Sequence, residues 1–403
     1  MRFTTVRSDA DEIESQSLRQ DAAPRKTSLK VCFVSPFAYG ALTGDLRGHI
    51  GGVERQTALM ARWLIDRGHE VSVCTWTEGG AQDEVRDGVT ILKTCLRSAG
   101  APIVRFFHPR WTALNSAMAR ADADIYYQNC AEETTGQVAI WANRHQRRFV
   151  FSVASDPECD PALPILPSLR ERVLYRRGLK LADGIITQTE SQQTLLRSGF
   201  GLDSTSLPMP SDVHADSDFQ SLNRAREAGL SALWVGRMMP VKRPEMLIDI
   251  ARSLPGIRFH VVGGADQDAD YWNVIESTAA SVPNLVLHGR RDREDILPLY
   301  RACHVLLCTS ILEGFPNTFL EAFAHGVPVL STVDPDGLLE RQQMGAHCVD
   351  VESFVSRIQQ LAADRGRLSS MAENAWNYYY EHHYLEKAMP RFESFLQRTV
   401  SAP

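Results

Sequence analysis

The chain has 403 residues, with 43 Lys and Arg against 49 Asp and Glu, and its formal net charge of -6 argues against a general nucleic-acid binder. A hydrophobic share of 44% and a charged share of 23% are those of a globular protein long enough for two cores. No apolar run approaches the roughly 20 residues of a membrane span, and the eight scattered cysteines, with no Cys-x-x-Cys pair, indicate neither a zinc site nor a disulfide framework. A cytoplasmic location is the default reading.

Residues 1–27 are polar and mix both charges without an apolar core, which reads as a disordered lead-in rather than a secretory signal. A β-rich run at 29–35 opens a first domain over 28–205. After a glycine-containing loop, Gly51-Gly52-Val53-Glu54-Arg55 begins a helix to about residue 67, and a strand follows at 70–76. Glycines at a helix N-terminus let backbone come close to a ligand where unpaired N–H groups favour phosphate. Strands at 89–94, 125–128 and 148–154 alternate with helices at 111–119 and 134–143, which predicts a parallel sheet covered on both faces. Pro157, Pro161, Pro164 and Pro167 keep 155–167 out of regular structure. Asp156, at the carboxyl end of the preceding strand, either faces a cleft or is a solvated loop aspartate.

A helix at 168–181 carries Arg170, Arg172, Arg176, Arg177 and Lys180 against Glu171. Such a helix suits an anionic membrane face and equally a solvated surface. Turn and strand follow at 182–189 and another helix from 192. Pro208 and Pro210 among small polar residues mark a linker at 201–218. A second βαβ series fills 206–384, with strands at 231–235, 258–262 and 285–288 and helices at 244–253, 269–280, 293–303, 351–363 and 369–380. A last helix occupies 385–400.

The stretch 304–332 is the most informative. Its apolar run Val305-Leu306-Leu307-Cys308 reads as a buried parallel strand, followed by a loop and an almost wholly apolar helix at 317–325 that Gly326 ends, and by a strand at 327–330. Glu313 lies in the loop outside the carboxyl end of that strand, where open α/β sheets bind ligands. Glu321 sits mid-helix, where a carboxylate is costly unless something hydrogen-bonds it. The two bracket a helix N-terminus, an arrangement that suits a phosphorylated, polyhydroxylated ligand; a surface Glu and a core Glu paired to an Arg is the plainer reading. Earlier, Trp234-Val235-Gly236-Arg237 and Lys242 set two cations at the carboxyl end of a strand. A helix start disfavours cations, so a ligand phosphate is the better reason for them.

The run Glu313-Gly314-Phe315-Pro316-Asn317-Thr318-Phe319-Leu320-Glu321-Ala322 with Gly326-Val327-Pro328-Val329 resembles the signature of glycosyltransferase family 4, retaining enzymes of the two-Rossmann-domain GT-B fold. The resemblance covers all but the lead-in, dense in the second half and looser in the first. It implies two Rossmann-like domains about a donor/acceptor cleft, with the segment 385–403 crossing back to the first. It further implies metal-independent transfer from a nucleoside diphosphate sugar, with no cofactor and no bound metal, to a glycan or lipid-linked acceptor. By this resemblance Glu313 contacts the donor sugar, Glu321 the ribose, and Arg237 with Lys242 the diphosphate. Gly51, Gly52, Gly236, Gly263, Arg290, Gly314, Phe315, Pro316, Asn317 and Thr318 complete the donor site. Many relatives carry a histidine near 152–160 and this chain has none, so Asp156 is assigned to the catalytic set as its stand-in. Asp122-Ala123-Asp124 and Asp266-Gln267-Asp268 look like a metal element but read as solvated turns, since the Arg/Lys pair takes the metal's place. The rival readings are a sugar-nucleotide epimerase on the same fold and a non-catalytic sugar-nucleotide-binding protein.

Overall fold

The computed structural model describes residues 28–45, 51–213, 219, 229–265 and 268–402. The lead-in at 1–27, part of the linker, and Asp266 lie outside these. The first sheet comprises β1 (Lys30–Val34), β2 (Glu70–Thr75), β3 (Glu84–Arg86), β4 (Val89–Lys93), β5 (Ile125–Asn129), β6 (Arg148–Ser152), β7 (Gly184–Thr187) and β8 (Thr205–Ser206). They run in the order β3-β4-β2-β1-β5-β6-β7-β8, parallel except for β3 on β4. The second comprises β9 (Ser231–Val235), β10 (Arg258–Val262), β11 (Leu285–Gly289), β12 (Val305–Cys308), β13 (Val329–Ser331) and β14 (Gly345–His347), in the order β11-β10-β9-β12-β13-β14 and all parallel. Helices cover both faces, so β12 is buried throughout, as its unbroken apolar sequence requires.

In each sheet the chain winds outward one way from a central strand and then returns to wind the other way. These reversals lie between β1 and β5 and between β9 and β12, and open sheets place ligand crevices at the carboxyl ends of strands flanking such a point. Beyond β1 a short helix spans Tyr39–Thr43 and α1 spans Gly52–Asp66, while the loops after β9 and β12 carry Arg237, Lys242 and Glu313. The other major helices are α2 (Thr112–Ala121), α3 (Glu133–Arg144), α4 (Leu169–Leu181), α5 (Glu190–Phe200), α6 (Pro244–Ser253), α7 (Ala269–Ala279), α8 (Arg293–Ala302), α9 (Asn317–Ala324), α10 (Val351–Ala363), α11 (Arg365–Tyr378) and α12 (Leu385–Ser401).

Helix α12 returns to the first sheet's side. Met389, Phe392, Phe395 and Leu396 join its core, with the Phe392 ring edge-on to Tyr127. Trp63 donates to Glu386 at 3.1 Å, and His69 meets Glu393 at 2.9 Å. Several local readings needed correction. The strand expected at 327–330 begins at Val329, because the Val327 N–H still closes α9 by bonding the Ala322 carbonyl at 2.9 Å. Gly326, at φ 59, makes that left-handed closure possible. Helix α11 starts at Arg365 rather than 369, since Asp364 caps it through the Arg367 N–H. The proline-rich loop contains one 3-10 turn, Asp156–Glu158, which Pro157 favours at its start. The two- and three-residue strands β3, β8 and β14 were too short for their periodicity to be read.

Candidate active site

At the reversal between β9 and β12, hydrogen bonds stitch two loops together. The Ile311 N–H donates to the Val241 carbonyl at 2.8 Å, and the buried Thr309 hydroxyl donates to the Lys242 carbonyl at 2.6 Å while accepting from Trp234 Nε1 at 3.1 Å. This backbone arrangement brings Lys242 Nζ onto Glu313 Oε1. Ser310 Oγ donates to the same oxygen at 2.6 Å. Both charged side chains are largely withdrawn from solvent, in a setting where an ion pair is screened far less than at the surface. Arg237 stands exposed on the turn after β9.

The loop beyond Glu313 is pressed against the first sheet's unit. Gly314 has no room for a Cβ, which would overlap the Ala154 carbonyl, and the Phe315 N–H donates to Gln188 Oε1 at 3.0 Å. Phe315, itself buried, lies 4.9 Å from the His383 ring. A Cβ on Gly52 would likewise overlap the Asn317 amide, so the starts of α1 and α9 face each other closely. Among the described residues no side chain caps α9, which leaves its first turn open to an anion. Pro316 is its N-cap, and Asn317 and Thr318 form its first positions.

Glu321 projects from α9 beside a cavity of about 470 Å³ whose walls include Gly52, Arg55, Asp212, Arg293 and Asn317. Burial raises its pKa, while Arg293 and the Tyr300 hydroxyl oppose that rise. Tyr300 donates at 2.9 Å and Arg293 lies at 3.7 Å, itself held by Asp212 at 2.7 Å. The carboxylate is therefore hydrogen-bonded from the core and also part of a cavity wall.

The remaining candidates are dispersed. Gly51 is the N-cap of α1, and its N–H donates to Glu54 at 2.9 Å, so that glutamate serves its own helix. Gly263 is confined by the Gly236 carbonyl and Gly236 by the Trp234 ring; both glycines let neighbouring loops close on each other. Arg290 is exposed after β11, and His288 hydrogen-bonds His260 at 3.0 Å. Asp156 is half-buried and accepts from Gln192 at 3.2 Å; burial raises its pKa, and the nearby Asp336 carboxylate adds to the rise. Asp122 pairs with Arg147, and Asp124 accepts the Lys30 N–H at 2.8 Å. Both lie before β5, at the sheet end opposite the crevice. Asp268 caps α7 through the Tyr271 N–H at 2.9 Å.

Four participants escaped the sequence reading. Gln188 and Asp336 act across the seam: the Asp336 carboxylate accepts the Glu190 and Ser191 N–H groups at 2.8 and 2.9 Å, capping α5 from the other half of the molecule. Ser310 braces Glu313. Glu158, fully buried, takes the Ala154 N–H and the Ser155 hydroxyl, both at 3.2 Å, and holds the loop on which Gly314 rests. Burial pushes its pKa up to about 8. Asp334-Pro335-Asp336-Gly337 could be read only as a turn, and nothing local marks Glu158.

Two family models match this chain. The family model described as Glycosyl transferases group 1 matches residues 229–364, and that of the Glycosyl transferase 4-like domain matches residues 51–207. A D-inositol 3-phosphate glycosyltransferase of Mycobacteroides abscessus is 25% identical over 342 residues, 76% of this chain and 74% of that protein. Among solved structures, Anabaena HepE in complex with UDP and glucose aligns with a TM-score of 0.71 at 18% identity, over 92% of this chain and 99% of that one. Sucrose-phosphate synthase from Thermosynechococcus elongatus aligns with a TM-score of 0.74 at 18% identity, over 93% and 99% respectively. At such identities the structures establish a shared two-domain GT-B fold.

Proposed function

The chain belongs to the group 1, family 4 glycosyltransferases, and from that premise we propose a retaining enzyme that transfers a sugar from a nucleoside diphosphate donor to a hydroxyl acceptor. The observation that carries the proposal is the Lys242–Glu313 pair, a fixed cation and carboxylate at the crevice of the second sheet. Arg237 and Lys242 hold the diphosphate, together with the uncapped start of α9. Fixed charges there lower the energy of a leaving group whose negative charge grows as the glycosidic bond breaks. Glu313 orients the sugar, and Glu321 accepts from the ribose hydroxyls at the cavity wall. Gly51 and Gly52 flank the phosphates from the first half. The bond from the anomeric carbon to the diphosphate breaks while one to the acceptor oxygen forms on the same face. The acceptor proton passes to the departing phosphate oxygen, so the protein supplies no general base and needs no metal to carry the charge. Asp156 touches the acceptor side.

The acceptor is a growing glycan or a lipid-linked one, in polysaccharide or glycolipid synthesis, reached from the cytoplasm at the inner face of the membrane. The contact proposed is peripheral; among the described residues no helix is long and apolar enough to cross a bilayer. A thermal-shift panel of UDP-, GDP- and ADP-sugars with their free nucleotides tests the donor assignment. A specific ligand at 100 times its Kd stabilises by about 2.7 kcal/mol. One responding nucleotide supports the reading, with UDP favoured by the HepE complex; no response to any of them overturns it.

A further inference from the structure

Glu321 offers its two oxygens to different neighbours. Oε2 accepts from the buried Tyr300 hydroxyl at 2.9 Å, whereas Oε1 has Arg293 Nε at 3.7 Å, beyond hydrogen-bond length. Oε1 therefore keeps acceptor capacity, on a residue that lines the cavity. Both neighbours come from α8, two turns apart on one face of it. The Arg293 guanidinium is shared. Its Nη2 donates to Asp212 Oδ1 at 2.7 Å while Nε faces Glu321, so one cation stands between two carboxylates. As the first residue of α8 it occupies a helix start, which disfavours cations; the two carboxylates offset that.

Asp212 lies on the segment that joins the two halves, and its neighbours are fastened from both of them. The Gln56 side chain on α1 donates to the Pro210 carbonyl at 2.9 Å. The Ser211 N–H donates to the His383 carbonyl at 2.9 Å, and the buried Tyr379 hydroxyl donates to the Val213 carbonyl at 2.6 Å. The linker and the Tyr379–His383 turn that leads into α12 thus meet beside Asp212. Its carboxylate reaches Arg293 from a backbone that is held on each side. Without Arg293, Glu321 would be a buried carboxylate with no countercharge at this distance, a costly arrangement that the side chain would leave or neutralise.

We infer that Arg293, anchored to the linker through Asp212, is a positioning residue that fixes Glu321 with Oε1 open to the vicinal hydroxyls of a nucleotide ribose. This rests on the proposed role of Glu321 and adds two residues on which that role depends. The test is titration calorimetry of the full chain with UDP, GDP and ADP, each beside its 2′,3′-dideoxy form. The wild type should bind one ribonucleotide about tenfold or more tightly than its dideoxy form, as expected for hydroxyls donated to a carboxylate. Arg293→Met should weaken the ribonucleotide about tenfold and leave the dideoxy form unchanged, so that the preference collapses. Arg293→Lys should retain part of it, and Asp212→Asn should lower it by less than Arg293→Met does. Added to Glu321→Gln, Arg293→Met should change the preference by less than about twofold, because it acts through that carboxylate. If the wild type binds none of these nucleotides or ignores the ribose hydroxyls, the reading of Glu321 falls and this inference with it. A preference that survives Arg293→Met in full overturns the inference alone. Equal weakening of both forms does so too, since it marks a merely structural residue. Should Arg293→Met fail to fold, an unchanged preference in Asp212→Asn overturns the inference.

Discussion

Lys242 and Glu313, 71 residues apart in the chain, form an ion pair where β9 and β12 run side by side. In the proposed reaction a phosphate arriving at Lys242 would compete with Glu313 for the ammonium and leave the carboxylate free to accept from sugar hydroxyls. The pair is thus suited to couple diphosphate binding to sugar orientation.

Separating the two residues should separate the two tasks. Lys242→Ala is expected to lower transfer by about 10² or more and to abolish stabilisation by a nucleoside diphosphate. Glu313→Ala should lower transfer by a similar factor yet retain the nucleotide's thermal shift. The double variant should be little worse than either single one, since both act on one event. Wild-type rates in both single variants would refute the site.

Gly314→Ala places a methyl group against the Ala154 backbone carbonyl, which cannot swing aside as a side chain would. The halves must then part slightly, and misplacement by about 1 Å can cost roughly 10²-fold in rate. Reduced transfer, with a larger radius of gyration by small-angle scattering, is the expected outcome. Full activity would mean that the closed seam is not the working arrangement.

Asp336→Ala removes the carboxylate that caps α5 from across the seam. Loss of such a cap costs about 1 kcal/mol, whereas Asp336→Asn keeps an acceptor oxygen and should cost less. Denaturant unfolding of the three proteins compares them directly. Equal stability of wild type and Ala variant would show that the contact contributes nothing.

Glu158 makes stability depend on pH. Its folded pKa, raised to about 8 by burial, exceeds the unfolded value of about 4.3. The folded chain therefore binds the proton more tightly; the resulting stability is fully present below the unfolded pKa and is lost as pH rises through the folded one. Glu158→Gln keeps a neutral group in place. Between about pH 5 and pH 9 the wild-type Tm should fall further than that of the variant. Parallel Tm curves would contradict this.

The order of elements was legible because it is written locally. Apolar runs such as Val305–Cys308, alternating with helical periods, specify buried parallel strands and their covering helices. The density of the Glu313 to Val329 run likewise marked the family. Short elements escaped because two or three residues, as in β8, carry no period.

What the tertiary structure decided was the set of contacts. That Lys242 meets Glu313, that Tyr300 and Arg293 satisfy Glu321, and that Asp336 caps α5 all depend on strand order and on how the two halves meet. A side chain's own neighbours in sequence determine which element it joins. Its ionic and hydrogen-bonded partners come from strands adjacent only after the sheet has reversed its winding, and from a seam between halves that no local pattern encodes.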